Sequence, residues 1–386
     1  MTASDPELRP RLPGEGVKKA PLSQRARRSL YKRQRSFVDF LPWVEYLAEH
    51  QAILLADGVS VGAVLEVLPA GTEGRSPDYL AELRDTLQDA LQDSFDEHDQ
   101  APWVLQSYTF DEPDLDTAME AVSHYPARHI RDTAYTRAYL ELMARHYQGI
   151  SKPGGLFYDG VVTQTDWGGA VRRNLLMLYR KHPTPKGRKA RSEAGMDRET
   201  ALLELADTVD KFTQALNAAG VGLKPLSGTD FHDWLLGFFN EGSDLFGGDT
   251  KAFLRAARHD DDTLPVGDRF TETLFYEHPR SDREGQCWWF GNSALRCLSI
   301  DGLRRRPPVG QVTGEITRGD ATHTLIDVLP PGSVFVTTMV VIPQDSLEAH
   351  IQAIDASAIG EGSEPAQVRK DCGTALEILA ERHKFY

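Results

Sequence analysis

Cysteine is scarce. Cys287, Cys297 and Cys372 are the three in 386 residues. So small and odd a number excludes a disulfide scaffold and fits a reducing compartment. Long apolar runs are also missing. The best, residues 54–68, is interrupted by Asp57 and Glu66, whereas a helical membrane span needs about 20 mostly apolar residues. The N-terminus has no apolar signal core, so the expected location is the cytoplasm. Gly-Lys does not occur anywhere. A phosphate-cradling loop ends in Gly-Lys-Ser/Thr, because backbone N–H groups and the lysine must surround the phosphates together. That loop is therefore excluded. Gly220-Val221-Gly222 begins like a dinucleotide fingerprint but has Pro225 where the third glycine belongs. No histidine pair has the H-E-x-x-H spacing of a helical zinc site.

What remains is an ordinary globular composition, with 40% hydrophobic and 26% charged residues. The length predicts two or three folding units with a substantial core. The net charge of −14 is unevenly spread. Residues 1–35 hold ten Lys and Arg against three Asp and Glu, a net of +7; the rest hold 33 against 54, a net of −21. The body should repel nucleic acid over most of its surface, and the tail should not. Residues 18–35 carry Lys18, Lys19, Arg25, Arg27, Arg28, Lys32, Arg33 and Arg35 without an acid. Such a run suits anionic lipid headgroups or a membrane partner, at about 1 kcal/mol per basic residue near the surface. It also suits nucleic-acid phosphates, which the acidic body disfavours, and a solvated tail explains it too.

Three segments are expected. Residues 1–35 form a flexible basic tail, rich in Pro and Gly and poor in apolar anchors. Residues 36–195 form an α+β subdomain that begins with a β-hairpin. Its strands are AILLA and VGAVLEVL, joined by a turn at Asp57-Gly58. A helix follows, opened by Ser76 and Pro77. A strand is expected over 103–110, a helix over 132–147 stopped by Gly149, and strands over 158–165 and 174–179. Residues 180–191 (RKHPTPKGRKAR) form an exposed basic loop.

Residues 196–386 begin with a helix pair. The first is capped by Asp197, carries an apolar stripe from Leu202 to Leu216, and stops at Gly220. The second covers 230–239. Residues 240–285 read as a long polar excursion. Short strands follow, and 334–342 is apolar on both faces, as a buried central strand would be. Helices over 345–358 and 366–384 complete the chain. The last lacks a stop signal, from which the chain is expected to continue. The fold class is α+β, with mixed or antiparallel sheets and flanking helices.

Several residues could carry chemistry. Gly58-Val59-Ser60-Val61-Gly62 fits G-x-S-x-G, the elbow that presents a serine nucleophile. The elbow needs a strand-to-helix turn, but residues 63–68 continue as a strand, so a hairpin turn bearing a serine is the plainer reading. Asp260-Asp261-Asp262 after His259 could ligate a cation, although hard-cation loops normally space their ligands. Trp288-Trp289-Phe290 could stack on bases, but neighbours in a strand point to opposite faces. Cys287 and Cys297 lack a second close pair. No convincing catalytic, cofactor-binding or metal-ligating set emerges.

Ser36-Phe37-Val38-Asp39-Phe40-Leu41-Pro42-Trp43 and the hairpin after it resemble the start of TraC-like conjugative transfer ATPases, which energise type IV secretion systems. Asn217-Ala218-Ala219-Gly220, then Leu226-Ser227-Gly228-Thr229-Asp230-Phe231, are similar to the same family, as are Asp327-Val328-Leu329-Pro330-Pro331-Gly332-Ser333. The resemblance runs from about Ser36 to the end. It implies the non-motor N-terminal region of such an ATPase, without the C-terminal RecA-like domain. ATP and Mg²⁺ would belong to the full-length family proteins and not to this chain. The implied role is docking to inner-membrane type IV secretion subunits at the cytoplasmic face, with self-association. Direct nucleic-acid contact is less favoured. The rivals are a small hydrolase using Ser60 or the Asp260–Asp262 loop, and a nucleic-acid adaptor acting through the tail.

Overall fold

The computed structural model describes residues 36–72, 74–97, 101–113, 115–152, 154–161, 164–182, 198–240, 250–260, 264–300, 316–318, 321–323, 325–358 and 363–382. One compact unit ends at Leu41 and another begins at Pro42. In the first, Phe37–Phe40 is a single 3₁₀ turn. The Ser36 N–H donates to Asp39 Oδ2 at 2.8 Å, and the Ser36 side chain accepts in return from the turn, a reciprocal cap.

The second unit opens with strands β1 (Trp43–Leu47), β2 (Ala52–Leu55) and β3 (Val61–Leu68). The β2–β3 hairpin forms as the sequence predicts. Gly58 supplies φ +76° at the turn, a conformation that costs glycine little. Asp57 Oδ1 accepts the N–H groups of Val59 and Ser60, at 3.0 and 2.7 Å. Helix α1 (Pro77–Asp93) starts where Ser76 Oγ accepts from the Tyr79 N–H. Strand β4 (Trp103–Glu112) leads into α2 (Asp116–His124), α3 (Ala134–Ile150), β5 (Phe157–Asp159) and β6 (Thr165–Trp167). Strand β7 (Val171–Arg180) then returns beside β4. Helix α3 runs through Gly149 rather than stopping there; Thr133 caps its start.

Helix α4 (Arg198–Ala218), strand β8 (Gly222–Pro225) and helix α5 (Gly228–Phe239) follow. Asp197, the expected cap of α4, and most of the 180–191 loop lie outside the described residues. Helices α6 (Thr250–Ala257) and α7 (Asp268–Glu272) come from the expected polar excursion. That expectation needs correction: Phe253, Leu264, Phe270 and Leu274 of this stretch are buried. Its Gly and Asp content masks a few well-spaced anchors. Strands β9 (Arg280–Asp282), β10 (Cys287–Phe290) and β11 (Ser293–Leu295) form one small sheet, and β12 (Ile316–Arg318) and β13 (Ala321–His323) another. Strand β14 (Val334–Val340) precedes α8 (Gln344–Ser357) and α9 (Ser363–Arg382).

The main sheet has seven strands in the order β1-β2-β3-β7-β4-β14, with β8 paired to the C-terminal half of β3. Every pairing described is antiparallel. The fold is thus α+β, as expected. Strands from both sides of the 195/196 boundary enter this one sheet. One face carries Val61, Ala63 and Leu65 of β3, Trp103 and Leu105 of β4, and Leu176 and Leu178 of β7. The period-2 alternation of strands places them together. Helices α1 and α4 cover that face with Ala90, Leu202, Leu205, Phe212 and Leu216. On the other face, Trp234 of α5 meets Tyr108 and Phe110 of β4, with ring centroids 5.7 and 5.8 Å away.

Strand β14 is not the buried central strand that its sequence predicts. It lies at the edge of the sheet, paired with β4 alone among the described residues. Val336, Met339 and Val340 are exposed.

Candidate docking surfaces

Ser60 is the sharpest test of the hydrolase reading. It is 0% exposed. Its hydroxyl donates to Asp57 Oδ2 at 2.5 Å and accepts from the backbone N–H of His182 at 2.9 Å. The group that meets Ser60 is an amide, not an imidazole, and no elbow lifts the hydroxyl into solvent. The G-x-S-x-G match is a hairpin in which serine ties the turn to the end of β7. Burial raises the Asp57 carboxyl, but its hydrogen bonds from Ser60 and Val59 outweigh that and hold it below the usual range.

The other polar clusters also serve the fold. Arg180 is buried. It donates to Ala101 O, Glu204 Oε2 and Asp96 Oδ2, at 2.7, 3.1 and 2.6 Å, while its guanidinium lies 4.9 Å from the Trp103 ring. Asp96 also accepts the Trp103 indole N–H. One cation thereby joins β7, β4 and α4. Asp261 and Asp262 lie outside the described residues. Among the described residues no three His, Cys, Asp or Glu side chains are grouped to hold a metal. Trp288, Trp289 and Phe290 form no base-stacking platform. Phe290 is buried against Phe239 and Phe275, and Trp289 donates to Asp282 at 3.4 Å. A cavity of about 250 Å³ lies beside His232, His259, Thr273 and Tyr276. His232 Nε2 lies 3.3 Å from Thr273 Oγ1. Burial, then the nearby His259, pushes the His232 imidazole down to about 4, so it is neutral at physiological pH.

Among the described residues, the start of α5 offers ATP and Mg²⁺ no open cradle. The N-terminus of α5, the helix that follows β8, is closed by its own chain. Ser227 Oγ accepts the Asp230 N–H at 3.0 Å. A Cβ at Gly228 would stand 2.3 Å from Tyr46 Cδ1, so the Tyr46 ring packs directly against the first turn of α5.

Lys18, Lys19, Arg25, Arg27, Arg28, Lys32, Arg33 and Arg35 lie outside the described residues. The structure shows a different accessible surface, which the sequence reading missed. Between β4 and β7 the chain makes an insert, residues 113–170, holding α2, α3 and the β5–β6 hairpin. Among its described residues Thr136 alone is buried. Tyr135, Tyr139 and Leu142 are 83%, 47% and 57% exposed. Their spacing puts them on one side of α3. Thr136, Leu140, Met143 and Tyr147 form the adjacent, more buried side, about 100° round the helix. Tyr125, Ile130, Leu156, Phe157, Tyr158 and Val161 are exposed nearby in sequence. The Phe157 ring stacks on Trp167, with centroids 6.1 Å apart. Arg128, Arg131, Arg137, Arg145 and Lys152 are all exposed, and none has an ion-pair partner among the described residues. The signal was legible in principle: the apolar residues of α3 spread over about 160° of the helix, wider than a single core-facing stripe needs.

The class defined at this point is an α+β protein on a seven-stranded antiparallel sheet. Among the described residues Ser60 and Arg180 are engaged in the fold, and the insert bears exposed aromatic side chains. The family model described as TraC protein, of the type IV conjugative transfer kind, matches residues 37–386. The chain belongs to that family, and its role lies in type IV conjugative transfer. No curated protein matches it. The family-like segments do structural work. Leu226 N–H donates to Val64 O at 2.8 Å, and Tyr46 Oη donates to Leu226 O at 3.4 Å. Asp327 accepts from Arg172 of β7 at 2.7 Å, and Gly332 turns the chain into β14 with φ +81°.

Proposed function

We propose that the chain is the non-motor N-terminal module of a conjugative transfer ATPase. It docks the motor to inner-membrane secretion subunits at the cytoplasmic face and supports self-association. Its mechanism is binding and not catalysis. The observation that carries this reading is the insert. Its exposed aromatic and aliphatic residues are of the kind that mark interaction sites. Tyrosines beside arginines suit the boundary between membrane and water. No helix among the described residues is long and apolar enough to cross a membrane, so attachment on this reading is peripheral. The basic run of residues 18–35 adds attraction to anionic headgroups.

Flotation with inner-membrane vesicles tests it. The vesicles come from cells with or without the transfer system. The chain should float with the former, and a Y135S/Y139S/L142S variant should float at least about tenfold less. Equal flotation of chain and variant would refute docking through the insert. Deletion of residues 1–35 should instead weaken binding in a salt-dependent way.

A further inference from the structure

The two edges of the main sheet differ. An exposed edge presents unpaired N–H and C=O groups, and proteins blunt it with short strands, charges, proline, bulges or a covering loop. The β1 edge uses most of these. It has five residues, includes Glu45, follows Pro42, and slips register between Trp43 and Glu45. The N–H of Gly267 covers it by donating to Val44 O at 2.8 Å. Among the described residues, the β14 edge uses none. Its seven residues, VFVTTMV, contain no charge, proline or glycine. Its register with β4 runs unbroken from Val334↔Phe110 to Val340↔Val104.

The orientation of the free groups follows from one bond. Val341 N–H donates inward, to Trp103 O of β4, at 2.9 Å. In an antiparallel pair successive residues alternate. The N–H and C=O groups of Val336, Thr338 and Val340 therefore point outward, where no described strand meets them.

We propose that a second copy of this chain fills this edge, β14 pairing antiparallel with its equivalent across a two-fold axis. This deepens the self-association part of the function proposed above. The strand reads almost alike in both directions. With Thr337 on the axis, Val334 opposes Val340, Phe335 opposes Met339, and Val336 opposes Thr338. Outward-pointing residues then face outward-pointing residues, as hydrogen-bonded pairs require. Opposed residues share a face of the joint sheet, β-branched and apolar side chains meet across it, and no like charges are juxtaposed. A two-fold contact needs only this one self-complementary surface. An interior pattern on an edge strand is thereby explained: the strand is interior in the dimer.

Sedimentation equilibrium of the purified chain tests the proposal, with T338P and T338A compared. T338P deletes an outward N–H and leaves the inward ladder to β4 intact; T338A keeps it. The chain and T338A should dimerise, and T338P should associate about tenfold more weakly or not at all. Hydrogen exchange on the unaltered chain is the second readout, independent of whether T338P folds. The amides of Val336, Thr338 and Val340 should slow as concentration rises. A monomer at all concentrations, or exchange at these amides that ignores concentration, overturns the proposal. So does protection that appears only when an inner-membrane subunit is added, because the edge then belongs to another protein. Vesicle flotation is scored separately, so docking through the insert and pairing through β14 stand or fall independently.

Discussion

Gly228 shows how closely one position can be specified. A Cβ there would lie 2.3 Å from Tyr46 Cδ1 and 2.6 Å from Leu264 Cδ1. Gly228→Ala should therefore destabilise the chain by about 1–3 kcal/mol, as overpacking does. A denaturant midpoint measures it. In a G228A/Y46A pair the loss should be smaller than the sum of the two singles, because the clash has been removed. His232 gives a pH signature. The unfolded chain takes a proton on this histidine near pH 6.5, whereas the folded chain refuses it until about 4. Its contribution is whole above about pH 6.5 and is lost as the pH falls towards 4, at up to about 1.4 kcal/mol per pH unit. H232Q should flatten that slope in equilibrium unfolding between pH 4 and 6.5. Neither the Gly228 contact nor the His232 burial was legible in sequence, since both depend on residues far along the chain. Ser60 was legible: the strand pattern after it already argued for a hairpin.

Among the elements, the hairpin, α1, β4, α5 and β14 were visible as elements. Cap residues, a glycine turn and local periodicity are properties of short stretches, so Ser76, Gly58 and the Val334–Val340 run announced themselves. Position in the sheet was not visible. An apolar strand reads as central because central strands are apolar, but sheet order is set by contacts across more than two hundred residues, and β14 pairs with β4. The polar excursion misled for a related reason. Four buried anchors, Phe253, Leu264, Phe270 and Leu274, are spaced too widely to register as a pattern. The exposed stripe of α3 went unnoticed because sequence gives spacing and not solvent. The T338P and Y135S/Y139S/L142S variants belong to this level. Each alters an accessible surface and leaves the buried sheet face untouched, so fold and association can be scored separately.

For the molecule as a whole, the sequence resemblance and the family match agree on conjugative transfer. The missing Gly-Lys loop and the closed start of α5 turn attention from chemistry to surfaces. The chain carries a net charge of −14, and in the insert seven Asp and Glu outnumber five Lys and Arg, so its exposed tyrosines and aliphatic side chains, not its charge, carry the docking reading. Tyrosines of this kind suit a partner at the boundary between membrane and water. Photo-crosslinking in cells that carry the transfer system tests this most directly, with a light-activated residue at Tyr139. The account predicts a covalent adduct with an integral inner-membrane subunit of the secretion channel. Adducts confined to soluble proteins, or none at all while the chain supports transfer, would contradict it.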